Sequence, residues 1–172
     1  MFADGAGAAV VGGSDEPGIG PVVWGSDGSQ SELISQDHSW LDWRDQLAKD
    51  PSAEAPALRM KGQPVFRWAT VEMAKVARRT LEVAGIDVAD LDAFIPHQAN
   101  DRITEGLARS LRLPASVAIA RDVIEQGNTS AASVPLAIDT MMASGAVRSG
   151  DTALLLGFGA GLSFAGQVVV LP

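Results

Sequence analysis

Residues 92–111 constrain the fold more than any other stretch of the chain. After the polar Asp90 and Asp92, the run Ala93-Phe-Ile-Pro96 is small and apolar, a short signal for a buried strand. Directly beyond it, Ile103, Leu107 and Leu111 fall at i+4 steps and share one face of a helix. A strand that gives way to an amphipathic helix within a few residues belongs to a layered α/β domain. His97 stands at the junction, and in open α/β sheets ligands gather at the carboxyl ends of strands. A core histidine satisfied by a backbone carbonyl is the plain alternative. Two features favour a functional reading: His97 is one of two histidines, and a loop of similar placement, Gln126–Pro135, follows one strand and helix later.

The remaining sequence bounds the function by exclusion. At 172 residues the chain is long enough for one domain with a sizeable core. A net charge of −8 argues against a nucleic-acid binder, which needs a basic face. No apolar run reaches about 18 residues, so no transmembrane helix is expected. The opening Met-Phe-Ala-Asp-Gly lacks the basic and apolar regions of a signal peptide, which predicts a cytoplasmic protein. With no cysteine, the chain has no disulfide, no thiolate metal site and no thiol nucleophile of its own. His38 lies in a polar run without a second ligand at metal spacing, so it is read as a surface residue and no metal is expected. The glycine-rich start matches neither phosphate-loop motif, so no nucleotide cofactor is expected either.

Taken in order, Ala8-Ala-Val-Val11 reads as a buried strand, and Ile19–Trp24 as a second strand antiparallel to it, closed by the turn Gly25–Gly28. Residues 29–57 are poorly periodic, although Trp40, Trp43 and Leu47 fit one side of a short helix covering the core. Residues 57–62 lead back to the core. Pro64 is expected at the first position of a long helix with Val65, Trp68, Ala69, Met73, Val76 and Ala84 inward, ended by Gly85. Residues 116–120 read as a short strand. A helix from about Thr129 carries Val134, Ile138, Met141 and Met142 inward, is bent by Pro135 and stops at Gly145. Two strands, 152–156 and 162–171, flank a corner at 157–161. The order predicts an α/β domain with a mixed sheet and helices on its faces.

Three segments carry a family resemblance: Ile95-Pro-His-Gln-Ala-Asn-Asp-Arg-Ile103, Gly127-Asn-Thr-Ser-Ala-Ala-Ser-Val-Pro135 and Leu156-Gly-Phe-Gly-Ala-Gly-Leu-Ser163. Together they resemble the β-ketoacyl-acyl carrier protein synthase III family, condensing enzymes of the thiolase fold that start bacterial fatty-acid synthesis. Such enzymes are built from two similar halves in an αβαβα body, and this chain resembles the C-terminal half, with a mixed five-stranded sheet. Phe2–Val10 is similar to the closing strands of the family's first half. The resemblance therefore divides the chain into residues 1–28, the end of an N-terminal half with paired strands; 29–57, an irregular connection; and 58–172, a C-terminal thiolase-like domain. It also implies that the chain begins within a larger protein.

The family uses a Cys-His-Asn triad. His97 matches its histidine and Asn128 its asparagine, two neutral N–H donors suited to stabilising the enolate formed when a malonyl thioester loses carbon dioxide. The corner Gly159-Ala160-Gly161 matches the turn whose backbone completes the oxyanion hole. Gly62, Gln63, Phe66, Ala99 and Asn100 match the pantetheine tunnel, although asparagine is common in relatives where this chain has Gln63. Arg102, helped by Arg67 and Arg109, matches the basic patch that docks an acidic carrier protein, with a solvated helix face as the alternative for each arginine. The implied partners are acyl-CoA, malonyl-acyl carrier protein and the cysteine-bearing N-terminal half, with no cofactor beyond the acyl-CoA substrate. Alone, the chain is expected to be silent and to form a homodimer, because the helix face at Ser130–Val134 would be bared. An acyltransferase without condensation and a non-catalytic half-body remain alternatives at this point.

Overall fold

The computed structural model describes residues 2–172. Its strands and helices, in chain order, are β1 (Ile19–Ser26), β2 (Ile34–Gln36), α1 (Trp40–Leu47), β3 (Leu58–Met60), α2 (Gly62–Ala84), β4 (Ala93–Pro96), α3 (Asp101–Leu111), β5 (Ala118–Ile119), α4 (Val123–Gln126), α5 (Ser133–Ser144), β6 (Thr152–Gly159) and β7 (Ser163–Val170). Five strands form one mixed sheet in the order β1-β7-β6-β4-β5. β4 runs parallel to both β5 and β6, while β7 is antiparallel to β6 and to β1. This is the mixed α/β architecture that the pattern of elements predicts, with the five strands that the family resemblance implies.

The period-2 alternation of strands divides the core between the two faces of the sheet. Phe94 of β4 and Leu154 and Leu156 of β6 join α2 and α3 in one cluster, with Met73, Ala77, Leu81, Ile103, Leu107 and Leu111. Ala93, Ile95 and Ala153 face the other way, against Ala137 and Met141 of α5. Every residue of β4 is buried, as expected of a parallel strand covered on both sides. The predicted apolar faces of α2 and α3 are thus the ones that pack. Gly85 and Gly145 end α2 and α5 in the left-handed conformation, at φ 70° and 73°.

Several local expectations change. Residues 8–11 form no strand: the segment is exposed, and no neighbouring strand is present among the described residues to take its hydrogen bonds. β1 instead pairs with β7, from Ile19↔Val169 to Ser26↔Ser163. Within 29–57 the chain is more regular than its composition suggests, because β2 pairs with β3 (Ile34↔Met60) as a separate ribbon. β3 is exposed, so residues 58–60 do not enter the core. α1 is present, with a capping box at Ser39 and Asp42, but buries no residue; Trp43 instead donates its indole N–H to the Ala53 carbonyl.

The two helix-start prolines are also reassigned. α2 begins at Gly62, so Pro64 is its third residue, where the backbone N–H has no intrahelical acceptor to lose. A 3-10 turn at Ser130–Ala132 precedes α5, which puts Pro135 in the first turn of that helix, with no lost hydrogen bond and no bend to explain. The face around Ser130–Val134 is only partly covered: Ser133 is buried and Val134 half-buried, while Ser130 and Ala131 are exposed. The Ala3 N–H donates to the Asn128 carbonyl at 2.8 Å, and Gly5 and Gly7 lie so close to Leu136 and Pro135 that a Cβ on either would clash. At the far end, β6 continues through Gly159, leaving only residues 160–162 as the corner.

A stability contrast follows from this core. Leu107 is fully buried between α3 and α2, so Leu107→Ala should lower the unfolding free energy by about 2–5 kcal/mol. Val10→Ala should change it by less than about 0.5 kcal/mol, because Val10 is fully exposed. Urea denaturation of both variants checks the pair.

Candidate active site

The parallel strands deliver His97 to the carboxyl edge of the sheet. Its backbone N–H donates to the Leu156 carbonyl at 2.7 Å, extending the β4–β6 pairing by one residue. The chain then folds through a tight turn, Ala99 N–H to the His97 carbonyl at 2.9 Å, and α3 begins. Asn100 caps that helix, its side chain accepting from the Arg102 N–H at 2.9 Å.

Gln98 anchors the turn from below. It is 1% exposed, with both Nε2 hydrogens and Oε1 engaged by backbone partners. Its Nε2 donates to the carbonyls of Pro96 (2.7 Å) and Ala120 (3.3 Å), and its Oε1 accepts from the Val123 N–H at 3.2 Å. One side chain thus ties the end of β4 to the segment leaving β5 and to the start of α4. That same segment carries Asn128, so the two loops are held as one unit.

Asn128 follows Gly127, whose φ of 74° and ψ of −168° fall in a region open essentially to glycine. The Asn128 Oδ1 accepts from the Ser130 N–H at 2.9 Å, an Asx-turn. With the oxygen so engaged, the Nδ2 end of the amide is the one left to donate elsewhere. His97 is fixed on its other side: its Nδ1 lies 2.7 Å from Ser133 Oγ, and its ring meets Phe158 edge-on with centroids 5.3 Å apart. Nε2 therefore remains the ring nitrogen without a protein hydrogen-bond partner among the described residues.

Both side chains line a single cleft of about 1140 Å³. Its walls include Gly62, Gln63, Phe66, Ala99, Asn100, Gly159 and Ala160, so seven of the predicted contact residues meet His97 and Asn128 in one place. Gly161 lies at the corner but not on the wall. A second groove of about 1190 Å³ runs along α2 and shares Gly62, Gln63 and Phe66; Arg67 lines it. Arg102 and Arg109 lie outside both cavities, seven residues apart and so on one face of α3, exposed and without an ion pair among the described residues. No cluster of three or more potential metal ligands occurs among the described residues. None of their helices is long and apolar enough to cross a membrane.

Sequence reasoning missed Ser133, Gln98 and Phe158 as parts of this site. Ser133 reads only as a small residue suited to close packing, and Gln98 as one letter of a motif. A buried polar residue beside the candidate histidine was the available signal, but burial is not visible before the fold is known.

Burial holds the pKa of His97 below the ordinary histidine value of about 6.5. In the folded chain His97 is thus neutral over a wider range than in the unfolded one. The unfolded state binds the extra proton first as pH falls, so the term is fully favourable above about 6.5 and is lost toward the lower folded pKa. Unfolding free energy should therefore decline as pH drops from about 6.5, and His97→Gln should flatten that part of the curve. The lowered carboxylates Asp27, Asp37, Asp42 and Asp50, each held down chiefly by hydrogen bonds, act only at more acidic pH. Urea titrations at several pH values read the difference.

The mixed five-stranded sheet, with helices packed against its central strands, is the architecture of the C-terminal half of the thiolase fold. The chain belongs to the family described as 3-oxoacyl-(acyl-carrier-protein) synthase III, C terminal, whose model matches residues 81–171. It is 55% identical, over its whole length, to β-ketoacyl-(acyl-carrier-protein) synthase III of Streptomyces glaucescens, and equally to that of Mycobacteroides abscessus, covering 50% of each. The chain thus spans about half the length of the curated relatives it matches. Among solved structures, the priming β-ketosynthase of the R1128 polyketide pathway superposes with a TM-score of 0.86 at 52% identity, over 94% of this chain and 47% of that one. The 3-oxoacyl-(acyl carrier protein) synthase III of Pseudomonas aeruginosa gives 0.79 at 33%, with the same coverage.

Proposed function

We propose that this chain supplies the histidine and asparagine donors of a decarboxylative condensing site, working with a cysteine-bearing half that holds the acyl group. The observation that carries the reading is the convergence of His97 and Asn128 on one cleft, each with its other polar atom already engaged by a protein partner. Donors that need no reorganisation are what charge development in a transition state rewards.

In this scheme the cysteine thiolate attacks the acyl-CoA carbonyl and the CoA thiolate leaves. The oxyanion formed in that step is met by backbone N–H groups, with the corner Gly159-Ala160-Gly161 contributing. Malonyl-acyl carrier protein then enters. Its carbon–carboxylate bond breaks, carbon dioxide leaves, and the electron pair passes into an enolate whose oxygen lies against the His97 and Asn128 N–H groups. The enolate carbon attacks the acyl thioester, the cysteine thiolate departs, and β-ketoacyl-carrier protein results. Both donors are neutral, and the depressed pKa of His97 keeps the imidazole so. No cofactor enters the scheme.

The pantetheine arm runs along Gly62, Gln63, Phe66, Ala99 and Asn100, and the exposed arginines Arg67, Arg102 and Arg109 receive the acidic carrier protein. That local positive charge offsets the repulsion expected from a chain of net charge −8. The reaction places the whole enzyme at the initiation of fatty-acid synthesis.

Assembled with a cysteine-bearing half, His97→Ala and Asn128→Ala should each slow malonyl decarboxylation by roughly 10²–10³. Acylation of the cysteine by acyl-CoA should fall much less. Release of labelled carbon dioxide measures the first step, and acyl-enzyme formation the second. Wild-type decarboxylation by both variants would refute the assignment.

A further inference from the structure

We propose that Ser133 is the positioning residue that fixes the tautomer of His97, holding the ring proton on Nε2, where it faces the cleft. The inference rests on the reading of His97 as a neutral donor and goes on to say how that state is selected.

A count of protons around one buried oxygen selects the tautomer. Ser133 is 1% exposed and opens α5, so its hydroxyl sits on the rigid first turn of a helix. Two groups reach its Oγ: the Gln98 N–H donates at 3.2 Å, and His97 Nδ1 lies at 2.7 Å. A serine hydroxyl has one proton and two lone pairs. Gln98, whose backbone N–H can only donate, occupies one lone pair. Among the described residues, the hydroxyl proton then has one acceptor within reach, His97 Nδ1. Nδ1 can accept only when it carries no proton, which leaves the hydrogen of the neutral imidazole on Nε2.

The opposite tautomer fails the same count. A protonated Nδ1 would donate into the second lone pair, and the hydroxyl proton would be left buried without a partner, the arrangement native interiors avoid. The imidazolium form fails identically, because it too carries hydrogen on Nδ1. Ser133 thus works against both wrong states of the ring with a single bond. Phe158, edge-on to the imidazole, and the Gln98 amide network hold the plane in which that bond is made.

The test reads the ring directly and needs no turnover, so its failure is separate from failure of the condensing assignment. The chain has two histidines, and labelling both with nitrogen-15 gives a spectrum in which a His38→Gln background identifies His97. In the wild type at neutral pH, His97 should show a protonated Nε2 and an unprotonated Nδ1. Ser133→Ala should move the ring to a mixture of tautomers or to the Nδ1–H form. Should Ser133→Ala fail to fold, Ser133→Cys, of similar volume but with a weak thiol donor, should show part of the same shift. A wild-type ring protonated on Nδ1 overturns the proposal, as does a folded Ser133 variant whose tautomer matches the wild type.

Discussion

The parallel pairing of β4 with β6 is the constraint on which the rest depends. Phe94↔Leu154 and Ile95↔Leu155 place the fully buried β4 beside the largely buried middle of β6. Strands buried on both sides need helices on both sides, and α2 with α3 on one face and α5 on the other meet that need. Because the strands are parallel, the chain cannot return by a hairpin. It crosses over through α3 and later through α5, and each crossover leaves from the same carboxyl edge. His97 and Asn128 lie in those departures, which is why two side chains 31 positions apart share one cleft.

A shared edge does not by itself aim two donors. The aiming comes from polar bonds made beneath the cleft. Gln98 joins the two loops through three backbone groups, Gly127 supplies a conformation closed to other residues, and Ser130 turns the Asn128 amide. The Gln98 bonds are buried or nearly so, and losing one partner there strands the other, so that anchor is held more firmly than the strength of any single bond suggests. The same network explains why the cleft is lined largely by small and apolar residues. The polar atoms are mostly committed underneath, and few are left to face a substrate.

Much of this was legible in the sequence wherever local pattern and tertiary burial agree. The faces of α2 and α3, the glycine stops at Gly85 and Gly145, the β4-to-α3 junction and the final pair of strands all follow from spacing alone. What was not legible depends on partners distant in sequence. The partner of β1 lies about 140 residues away, and nothing in Ile19–Ser26 names β7. Val10 and Val11 are apolar enough for a strand, yet strand formation requires an edge to pair with. The β2–β3 ribbon joins three-residue pieces across an intervening helix, too short for periodicity to register. Pro135 looked misplaced only because the 3-10 turn before α5 hides where that helix begins. Within the site, His97 stood out by residue type at a strand-to-helix junction, and Asn128 was singled out only through the family resemblance of its loop. Ser133 was not, because a serine among alanines reads as packing until its distance to the imidazole is known.

The central claim is that His97 and Asn128 meet one developing oxyanion. A crystal structure of the assembled enzyme with a malonyl thioester analogue that cannot lose its carboxylate tests this most directly. The thioester oxygen should lie within about 3.2 Å of both His97 Nε2 and Asn128 Nδ2. A thioester oxygen turned away from both, with the carboxylate in their place, would contradict it.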